Sequence, residues 1–431
     1  MGTMGPFGRV TLYEMCRRHG FPRAWGRVIG TWTTRHAAWC LAASLALHLL
    51  AVLVFPPQPL DLRVYREASP LVFSGGLYDY RLHTGPPIPV LPFTYPPFAA
   101  LVFLPLSHLP WTAVVVLWQA ASVAALAVIG YCADRLLSPG ADRPEAPRVL
   151  LWTTAGLWLE PVRHTLDQGQ VNLLLAALVM TALVVLRGAA ARGAALGLAA
   201  AVKLTPAFGG LYLLATRQWR AAAWALAAGG GATALAWLAA PHESARYWFT
   251  LVTDTQRIGP AWSVRNQSLR GALGRLLDPG PGASVAWWTA LLLVTVVAAW
   301  ALRSAVRRQD LLGILVTAEL YGLLVSPISW SHHWVWCLPA MMWLAHGPGR
   351  ASLLNRVTLA AWTVTTAARL VPLLIRMEDG LAHPSPYPAV LAWPGTAYAA
   401  CAVLTFAAVA ARPYGGQPVG GSRPLYAERA R

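Results

Sequence analysis

The chain has 431 residues, of which 56% are hydrophobic and only 12% are charged. Ordinary soluble domains carry roughly 25% charged residues, so this composition excludes a water-soluble globule of ordinary surface. The formal net charge is +17, but the arginines lie between apolar runs, which argues against a nucleic-acid-binding surface. Because a transmembrane helix needs about 20 apolar residues, we predict an all-α, multi-pass integral membrane protein.

The N-terminal residues 1–36 are basic and precede the first apolar run, 37–55. No small-residue cleavage site follows that run, which predicts a retained helix rather than a signal peptide. Because basic segments stay on the cytoplasmic side of a membrane, we expect a cytoplasmic N-terminal arm. The protein is therefore predicted to lie in the cell membrane, with residue 56 emerging on the extracytoplasmic side.

Two long polar loops, 56–95 and 241–284, separate the remaining apolar runs. These runs are 97–109, 111–132, 149–159, 171–186, 194–216, 221–240, 285–302, 311–325, 334–346, 357–375 and 388–411. Their lengths predict about 11–13 transmembrane helices in one membrane domain, 37–411. The Pro- and Gly-rich residues 412–431 are predicted to form a disordered tail.

Polar side chains at the ends of the apolar runs are the first candidates for function, because burying them in a membrane is costly. Asp61 follows the first run directly. A carboxylate at that depth suits a general base acting on a lipid-borne substrate. Capping of a short interfacial helix is the alternative role for Asp61.

A second polar stretch, 160–172, links two short apolar runs. Gln170 and Asn172 lead directly into the second of these runs and need buried partners there. The alternative is an ordinary loop in which Asp167 caps the following helix.

Lys203 is the only lysine in the chain and lies inside an apolar run next to Pro206. A compact ammonium in that position suits a phosphate partner. A lysine that extends its ammonium towards the membrane surface is the alternative interpretation.

Two further segments, 254–271 and 326–334, combine cationic and amide side chains. Arginines with amides suit phosphate and sugar hydroxyls, although a solvated loop has the same composition. His332 and His333 suit proton or phosphate handling, and the absence of a nearby acidic cluster in the sequence argues against a metal site. Glu319 lies within an apolar run, and the sequence assigns it no role.

These motifs occur in one order along the chain, and the ordered set resembles glycosyltransferase family 87. More closely, it resembles the polyprenyl-phosphate-mannose-dependent α-(1→2)-mannosyltransferases of the GT-C superfamily. The resemblance rests on Asp61, Phe93-Thr94-Tyr95-Pro96-Pro97, Glu160-Pro161-Val162-Arg163, Gly169-Gln170-Val171-Asn172, Lys203-Leu204-Thr205-Pro206, Arg257-Ile258-Gly259, Asn266-Gln267-Ser268-Leu269-Arg270-Gly271 and Ser326-Pro327-Ile328-Ser329-Trp330-Ser331-His332-His333-Trp334.

The resemblance implies a GT-C fold with an extracytoplasmic active site at the membrane surface. The implied donor is polyprenyl-phosphate-mannose, and the implied acceptor is a lipid-linked mannoside or lipoglycan. The presumed catalytic base of the family is an aspartate in the first loop, which falls here on Asp61. No cofactor is implied, and no metal is expected.

We assign the remaining candidates by the chemistry of an inverting displacement. His332 is expected to act with Asp61 in catalysis, while Lys203, Arg257 and His333 are expected to bind the donor phosphate. The expected substrate-binding residues are Tyr65, Tyr95, Glu160, Arg163, Gln168, Gln170, Asn172, Asn266, Gln267 and Trp330. A flippase or transporter of polyprenyl-linked sugars is the alternative function, although the sequence lacks the inverted repeat typical of such proteins.

Overall fold

The structure is a computed structural model, described here for residues 34–85, 90–141, 143–277, 281–379 and 387–411. The predicted tail 412–431 and all of the predicted N-terminal arm except residues 34–36 lie outside these residues. Helices dominate the described chain, and a short antiparallel hairpin interrupts them in the first polar loop. This architecture confirms the predicted all-α membrane class.

The first half of the chain carries ten α-helices and two strands among the described residues. They are α1 (Ala37–Val54), α2 (Leu60–Ala68), β1 (Arg81–His83), β2 (Val90–Pro92), α3 (Pro97–Phe103), α4 (Trp111–Leu137), α5 (Ala146–Gly156), α6 (Glu160–Gln168), α7 (Asn172–Val184), α8 (Ala189–Val202), α9 (Gly209–Ala215) and α10 (Trp219–Ala239). Short 3-10 helices at Ser69–Phe73, Leu104–His108 and Thr205–Phe208 continue α2 and α3 and precede α9.

The second half begins with the second polar loop and ends with a long apolar helix. Its α-helices are α11 (Pro241–Arg246), α12 (Leu269–Leu276), α13 (Pro281–Arg307), α14 (Leu311–Val325), α15 (Cys337–His346), α16 (Leu353–Ala367), α17 (Leu370–Glu378), α18 (Ala389–Ala392) and α19 (Ala397–Ala410). One π-helical turn, Tyr247–Leu251, follows α11, and 3-10 turns occur at Gln256–Ile258, Ser331–Trp336 and Pro394–Thr396.

Fewer helices are long enough to cross a membrane than the apolar runs predict. Within the described ranges, five helices meet the length and hydropathy expected of a span, or seven if each of two bent pairs counts as one. The five are Ala37–Val54, Trp111–Leu137, Trp219–Ala239, Gly282–Arg307 and Ala389–Ala410. The predicted 11–13 crossings exceed this count because several apolar runs form helices of only 10–17 residues. Helices of that length are tolerated at membrane depth where protein surrounds them.

The bend between α6 and α7 shapes the interior of the protein. These two helices meet at 116°, and Gly169 ends α6 in the left-handed conformation at φ 66°. A Cβ at this position would lie 2.6 Å from the Cβ of Leu62 and 2.8 Å from that of Pro59. Glycine therefore allows both the turn and the direct packing of α2 against it.

Backbone-to-backbone packing joins α8 to α10. A Cβ added at Gly193 or Gly197 would lie 2.2 Å from the carbonyl oxygen of Ala221 or Ala225, respectively. Small residues let apolar helices approach closely, which is a common way for helices to associate in membranes. The pair holds the end of α8, and with it Lys203, at a fixed place in the bundle.

The two polar loops pack on each other at one end of the bundle. Arg246 in the second loop forms a bidentate ion pair with Asp79 in the first, at 2.6 and 2.8 Å. The guanidinium of Arg257 donates to the carbonyl oxygens of Phe93 and Thr94 at 3.0 and 3.3 Å. These contacts fix the second loop to the first loop.

Candidate active site

Helix α2 carries Asp61 and Tyr65 on one face, because residues four apart are neighbours on a helix. Tyr65 is fully buried, and its hydroxyl lies 2.7 Å from that of Tyr95. Both hydroxyls donate to the side-chain carbonyl of Gln170, Tyr65 at 3.0 Å and Tyr95 at 2.9 Å. This triangle joins α2, the segment before α3, and the α6–α7 bend.

Asp61 is partly exposed and interacts with Gln170, Lys203 and His164 of the same polar cluster. Partial removal of its carboxyl from water raises the pKa of Asp61 above its ordinary value, while the Gln170 amide, Lys203 and His164 act in the opposite direction. A raised pKa brings a carboxylate closer to the range in which it accepts a proton efficiently near neutral pH. Asp61 therefore has the environment expected of a general base.

Lys203 follows the last residue of α8 and is 9% exposed. Its Nζ donates to the Oδ1 of Asn172 at 2.6 Å and lies 5.3 Å from the centre of the Tyr95 ring. The Nδ2 of Asn172 in turn donates to the carbonyl oxygen of His332 at 2.9 Å. Asn172 thus has the buried partners that the sequence predicts it to need, namely Lys203 and the backbone of His332.

Three histidines lie side by side in the cluster. The ring of His332 is 4.9 Å from that of His164 and 4.7 Å from that of His333. Neither ring nitrogen of His332 has a hydrogen-bond partner among the described residues, and the same holds for the Nδ1 of His333. Buried polar atoms are normally satisfied, so these nitrogens are available to a ligand or to water.

Glu160 is buried at the start of α6 and is fully engaged inside the protein. It accepts from the hydroxyls of Ser331, at 2.9 Å, and of Tyr398. The Nδ1 of His164 lies 2.8 Å from the Ser331 hydroxyl and 3.4 Å from Glu160. Glu160 therefore holds α6, the 3-10 turn Ser331–Trp336 and α19 together, and orients His164 towards His332.

A small internal cavity of about 20 Å³ lies next to this cluster. Glu319, Asn172 and His333 line it, and a space of this size holds about one water molecule. Glu319 is 3% exposed, and its Oε1 has no hydrogen-bond partner among the residues described. Glu319, to which the sequence assigns no role, thus borders the cluster.

Arg163, which the sequence places among the substrate-binding residues, points away from the cluster. Its guanidinium lies 2.7 Å from the Nδ1 of His48 in α1, is 3.3 Å from Asp167, and stacks over Trp158 at 5.6 Å. Gln168 is half-buried at the end of α6. Sequence order alone does not indicate which side of α6 faces the site.

Asn266 and Gln267 fasten the second polar loop to the connection that follows α14. Asn266 is fully buried; its Nδ2 donates to the carbonyls of Ala261 and Pro327, and its Oδ1 accepts from two backbone N–H groups. Gln267 donates to the carbonyl of Val264 at 2.6 Å. Backbone groups therefore saturate the Asn266 amide, and its predicted contact with a sugar hydroxyl stays a prediction.

Arg257 and Trp330 lie at the edge of the cluster. The guanidinium of Arg257 donates to three backbone carbonyls, and its central carbon lies 5.7 Å from the centre of the Tyr78 ring. The partly exposed Trp330 ring lies against Gly259, within 3.1 Å of where a Cβ would be. Arg257 therefore supports the first loop, and Trp330 presents a flat face beside it.

The structure gives contacts in the cluster to residues for which the sequence analysis predicts no role. His164, Thr165, Ser331 and Tyr398 all form hydrogen bonds within or beneath the cluster. His164 has a detectable signal, since it lies one turn after Glu160 on the same helix. Tyr398 has none, because a tyrosine in an apolar helix is ordinary. Within the described ranges, no group of three or more His, Cys, Asp or Glu could hold a metal ion.

This polar cluster lies among broken apolar helices, beneath two packed loops. That arrangement is the one expected of a transferase site embedded in a membrane. The profile of glycosyltransferase family 87 matches residues 93–327. The match covers more than half of the chain, so the protein belongs to glycosyltransferase family 87.

Several relatives are similar to this chain over most of their length. A polyprenol-phosphate-mannose-dependent α-(1→2)-phosphatidylinositol pentamannoside mannosyltransferase of Mycolicibacterium smegmatis is 40% identical over 81% of this chain and 84% of its own. The protein of the same name from Mycobacterium tuberculosis is 38% identical over 88% of each chain. A phosphatidylinositol mannoside mannosyltransferase of Mycobacterium tuberculosis is 35% identical over 78% of this chain and 84% of its own.

No solved structure matches this chain. The family and these relatives support a glycosyltransferase and not the alternative flippase. The protein is therefore a multi-pass membrane glycosyltransferase, as the sequence predicts.

Proposed function

We propose that the protein transfers mannose from polyprenol-phosphate-mannose to a phosphatidylinositol mannoside and forms an α-(1→2) bond. The observation that carries this proposal is the meeting of Asp61 and Lys203 in one largely buried polar cluster. A base and a cation are the two groups that the displacement of a phosphate by a hydroxyl requires. The names of the relatives supply the donor and acceptor classes.

In the proposed reaction, the acceptor hydroxyl oxygen forms a bond to the anomeric carbon of the donor mannose. The bond from that carbon to the phosphate oxygen breaks, and its electron pair stays on the phosphate. Asp61 takes the hydroxyl proton as the bond forms. A β-linked donor gives an α-linked product because attack comes from the opposite face of the sugar, so a single displacement needs only one base.

Lys203 stabilises the phosphate as charge develops on it. A phosphate leaves more readily than a sugar alkoxide, so it needs a fixed positive charge more than a general acid. Asn172 holds the Lys203 ammonium at 2.6 Å and connects it to the backbone of His332. Both ring nitrogens of His332 and the Nδ1 of His333, which have no hydrogen-bond partner among the described residues, provide further contacts to the phosphate.

Sugar hydroxyls are proposed to meet the amide of Gln170 and the half-buried Gln168, while Trp330 offers its flat face to a pyranose ring. Tyr65 and Tyr95 position Gln170 through their hydroxyls. Arg257, Glu160 and Asn266 act on substrate through the loops and helices that they hold.

The protein is proposed to lie in the cell membrane, with its N-terminus in the cytoplasm and the site on the extracytoplasmic side. Supporting this orientation, the turns at the end of the bundle away from the site contain Arg308 and Arg350, whereas the Ser326–Ser331 connection at the site end has no arginine. Arginine-rich short loops favour the cytoplasmic side.

Mannosyl transfer by the purified protein in nanodiscs tests the proposal. The donor is radiolabelled polyprenyl-phosphate-mannose, and the acceptors are a panel of phosphatidylinositol mannosides with increasing numbers of sugars. We expect labelled α-(1→2)-linked product from the wild-type protein. Arg376→Gln, an exposed change on α17, is the matched control and keeps wild-type turnover. Failure to label any acceptor, with the donor bound, would contradict the proposed function.

A further inference from the structure

A half-open cavity of about 490 Å³ lies beside α2, directly after the first candidate membrane span. Its lining includes Gln58, Leu60, Arg63, Arg66, Glu67 and Trp111. Its volume is that of a small-ligand site, and its lining combines two guanidinium groups, a carboxylate, an amide and an indole with apolar side chains. The reaction at Asp61 uses none of these side chains.

The charges in this cavity do not cancel. Glu67 is already engaged, because it accepts from Arg63 at 2.7 Å and from the Tyr80 hydroxyl at 2.6 Å. Arg66 donates one bond to the carbonyl of Leu109 at 3.1 Å, and its buried Nε has no partner among the described residues. Two guanidinium groups and one carboxylate leave a net positive charge at Arg66.

The cavity also lies at the depth of lipid headgroups. Its wall includes the first residue of α4, Trp111, and the chain just after α1, and both helices are candidate spans. Tryptophans at the ends of membrane helices mark the interface between lipid and water. The phosphates of membrane lipids are found at the same level.

We propose that this cavity binds the phosphodiester of the lipid acceptor, with Arg66 as its main contact. The inference rests on the proposed function and names a part of the acceptor that this function leaves open. Arginine suits a phosphodiester because its planar guanidinium donates two parallel hydrogen bonds. Trp111 and Gln58 suit the polyol ring that such a phosphate carries.

The position of the cavity on α2 distinguishes the acceptor phosphate from the donor phosphate. Residues two apart on a helix point to nearly opposite sides, so Arg63 faces away from Asp61. A helix is about 10–12 Å across with its side chains. The donor phosphate must adjoin the carbon that the hydroxyl attacks at Asp61, so it does not reach this cavity. An acceptor whose reacting mannose lies several sugars away from its phosphate is long enough to reach across the helix from this cavity to Asp61.

Kinetics with two acceptors test the assignment. One acceptor is a phosphatidylinositol mannoside, and the other is an uncharged alkyl glycoside with the same mannose sequence. We expect Arg66→Gln to lower the preference for the charged acceptor, as the ratio of kcat/KM values, by about tenfold. The loss should appear in KM rather than kcat, because a remote phosphate contact contributes equally to the ground and transition states. Arg66→Lys should retain part of the preference, and Arg376→Gln all of it.

Equilibrium binding keeps the test independent of turnover. Binding of the radiolabelled phosphatidylinositol mannoside is measured without donor, in zwitterionic nanodiscs, for the wild type and Arg66→Gln. About tenfold weaker binding by Arg66→Gln supports the proposal even if no transfer is detected, in which case the proposed function alone fails. Equal binding by the two proteins overturns the proposal, as does an equal loss for both acceptors.

A third arm separates the acceptor from bulk anionic lipid. The binding measurement is repeated in nanodiscs that contain phosphatidylglycerol. Unchanged acceptor affinity supports a site for the acceptor, whereas competition by phosphatidylglycerol shows a general anionic-lipid site and overturns the assignment.

Discussion

The two ends of the helical bundle use charged side chains in different ways. At the end away from the cluster, Asp134 is 1% exposed and pairs with Arg148 while accepting from the backbone N–H of Glu145 at 2.9 Å. Asp310 accepts from the Trp343 indole at 2.9 Å and caps α14 through the N–H of Gly313.

At the cluster, by contrast, Asp61 and Lys203 take part in no ion pair within 4 Å among the residues the structure describes. A buried charge that is satisfied inside the protein contributes to the fold, and removing its partner is costly. A charge without such a partner is left for substrate. Asp61, the proposed base, therefore differs from Asp134 and Asp310 in having no such partner among the described residues.

Replacing one carboxylate by its amide at each end of the bundle should give the largest difference in turnover between two variants. Asp61→Asn removes the base, and we expect kcat to fall by about 10²–10⁴-fold with donor binding retained. Asp134→Asn, the matched change at the opposite end, should lower the melting temperature while turnover per folded molecule stays at the wild-type level. Turnover assays and thermal denaturation of both variants measure this, and an active Asp61→Asn protein would contradict the role of Asp61.

Removing the unpaired cation should have the next largest effect. Lys203→Met keeps the length of the side chain but not its charge, so the leaving phosphate loses its stabiliser. We expect kcat to fall by about 10²–10³-fold. Leu198→Ala, at an exposed position of α8, is the control. If Lys203→Met retained wild-type kcat, the cation would have to be sought elsewhere in the cluster.

A methyl group at the bend should disturb the site end without touching any charge. Gly169→Ala places a Cβ against Leu62 and Pro59 and keeps a left-handed backbone that alanine disfavours. The strain is about 1–3 kcal/mol and displaces α2, so both stability and turnover should fall. Gly140→Ala, in a turn at the other end with no atom within 4 Å of its Cβ, should change neither. Equal melting temperatures for the two variants would be inconsistent with the packing of α2 on the bend.

The smallest expected effect is a shift in the acid limb of the pH profile. Asp61 must be deprotonated to accept a proton, so kcat/KM should rise with pH through the pKa of Asp61. Because burial raises that pKa above the ordinary value of 3.8, the midpoint of the limb should lie above pH 3.8. The profile is measured with saturating donor. A midpoint at or below pH 3.8 would contradict a raised pKa of Asp61.

Much of the cluster could be predicted from the sequence because polar side chains at membrane depth are rare and costly. Asp61, Gln170, Asn172 and Lys203 are found in this way, and the structure brings them together. The sequence does not show that Arg163 contacts His48 or that the Asn266 amide bonds to backbone, since a motif gives the order of residues but not the side of a helix or loop that faces the site. It also misses Tyr398, whose contact with Glu160 spans 238 residues of sequence. The predicted 11–13 membrane helices exceed the five to seven described helices that meet the length and hydropathy of a span, because an apolar run is also found in a shorter helix that is buried in protein.

The single lysine makes the centre of this protein unusually easy to observe. Apart from the α-amino group, Lys203 carries the one primary amine in the chain. Selective ¹⁵N-lysine labelling would therefore place a single side-chain resonance beside the Tyr95 ring. Its chemical shift would follow the arrival of a phosphate at the Lys203 ammonium without any engineered probe.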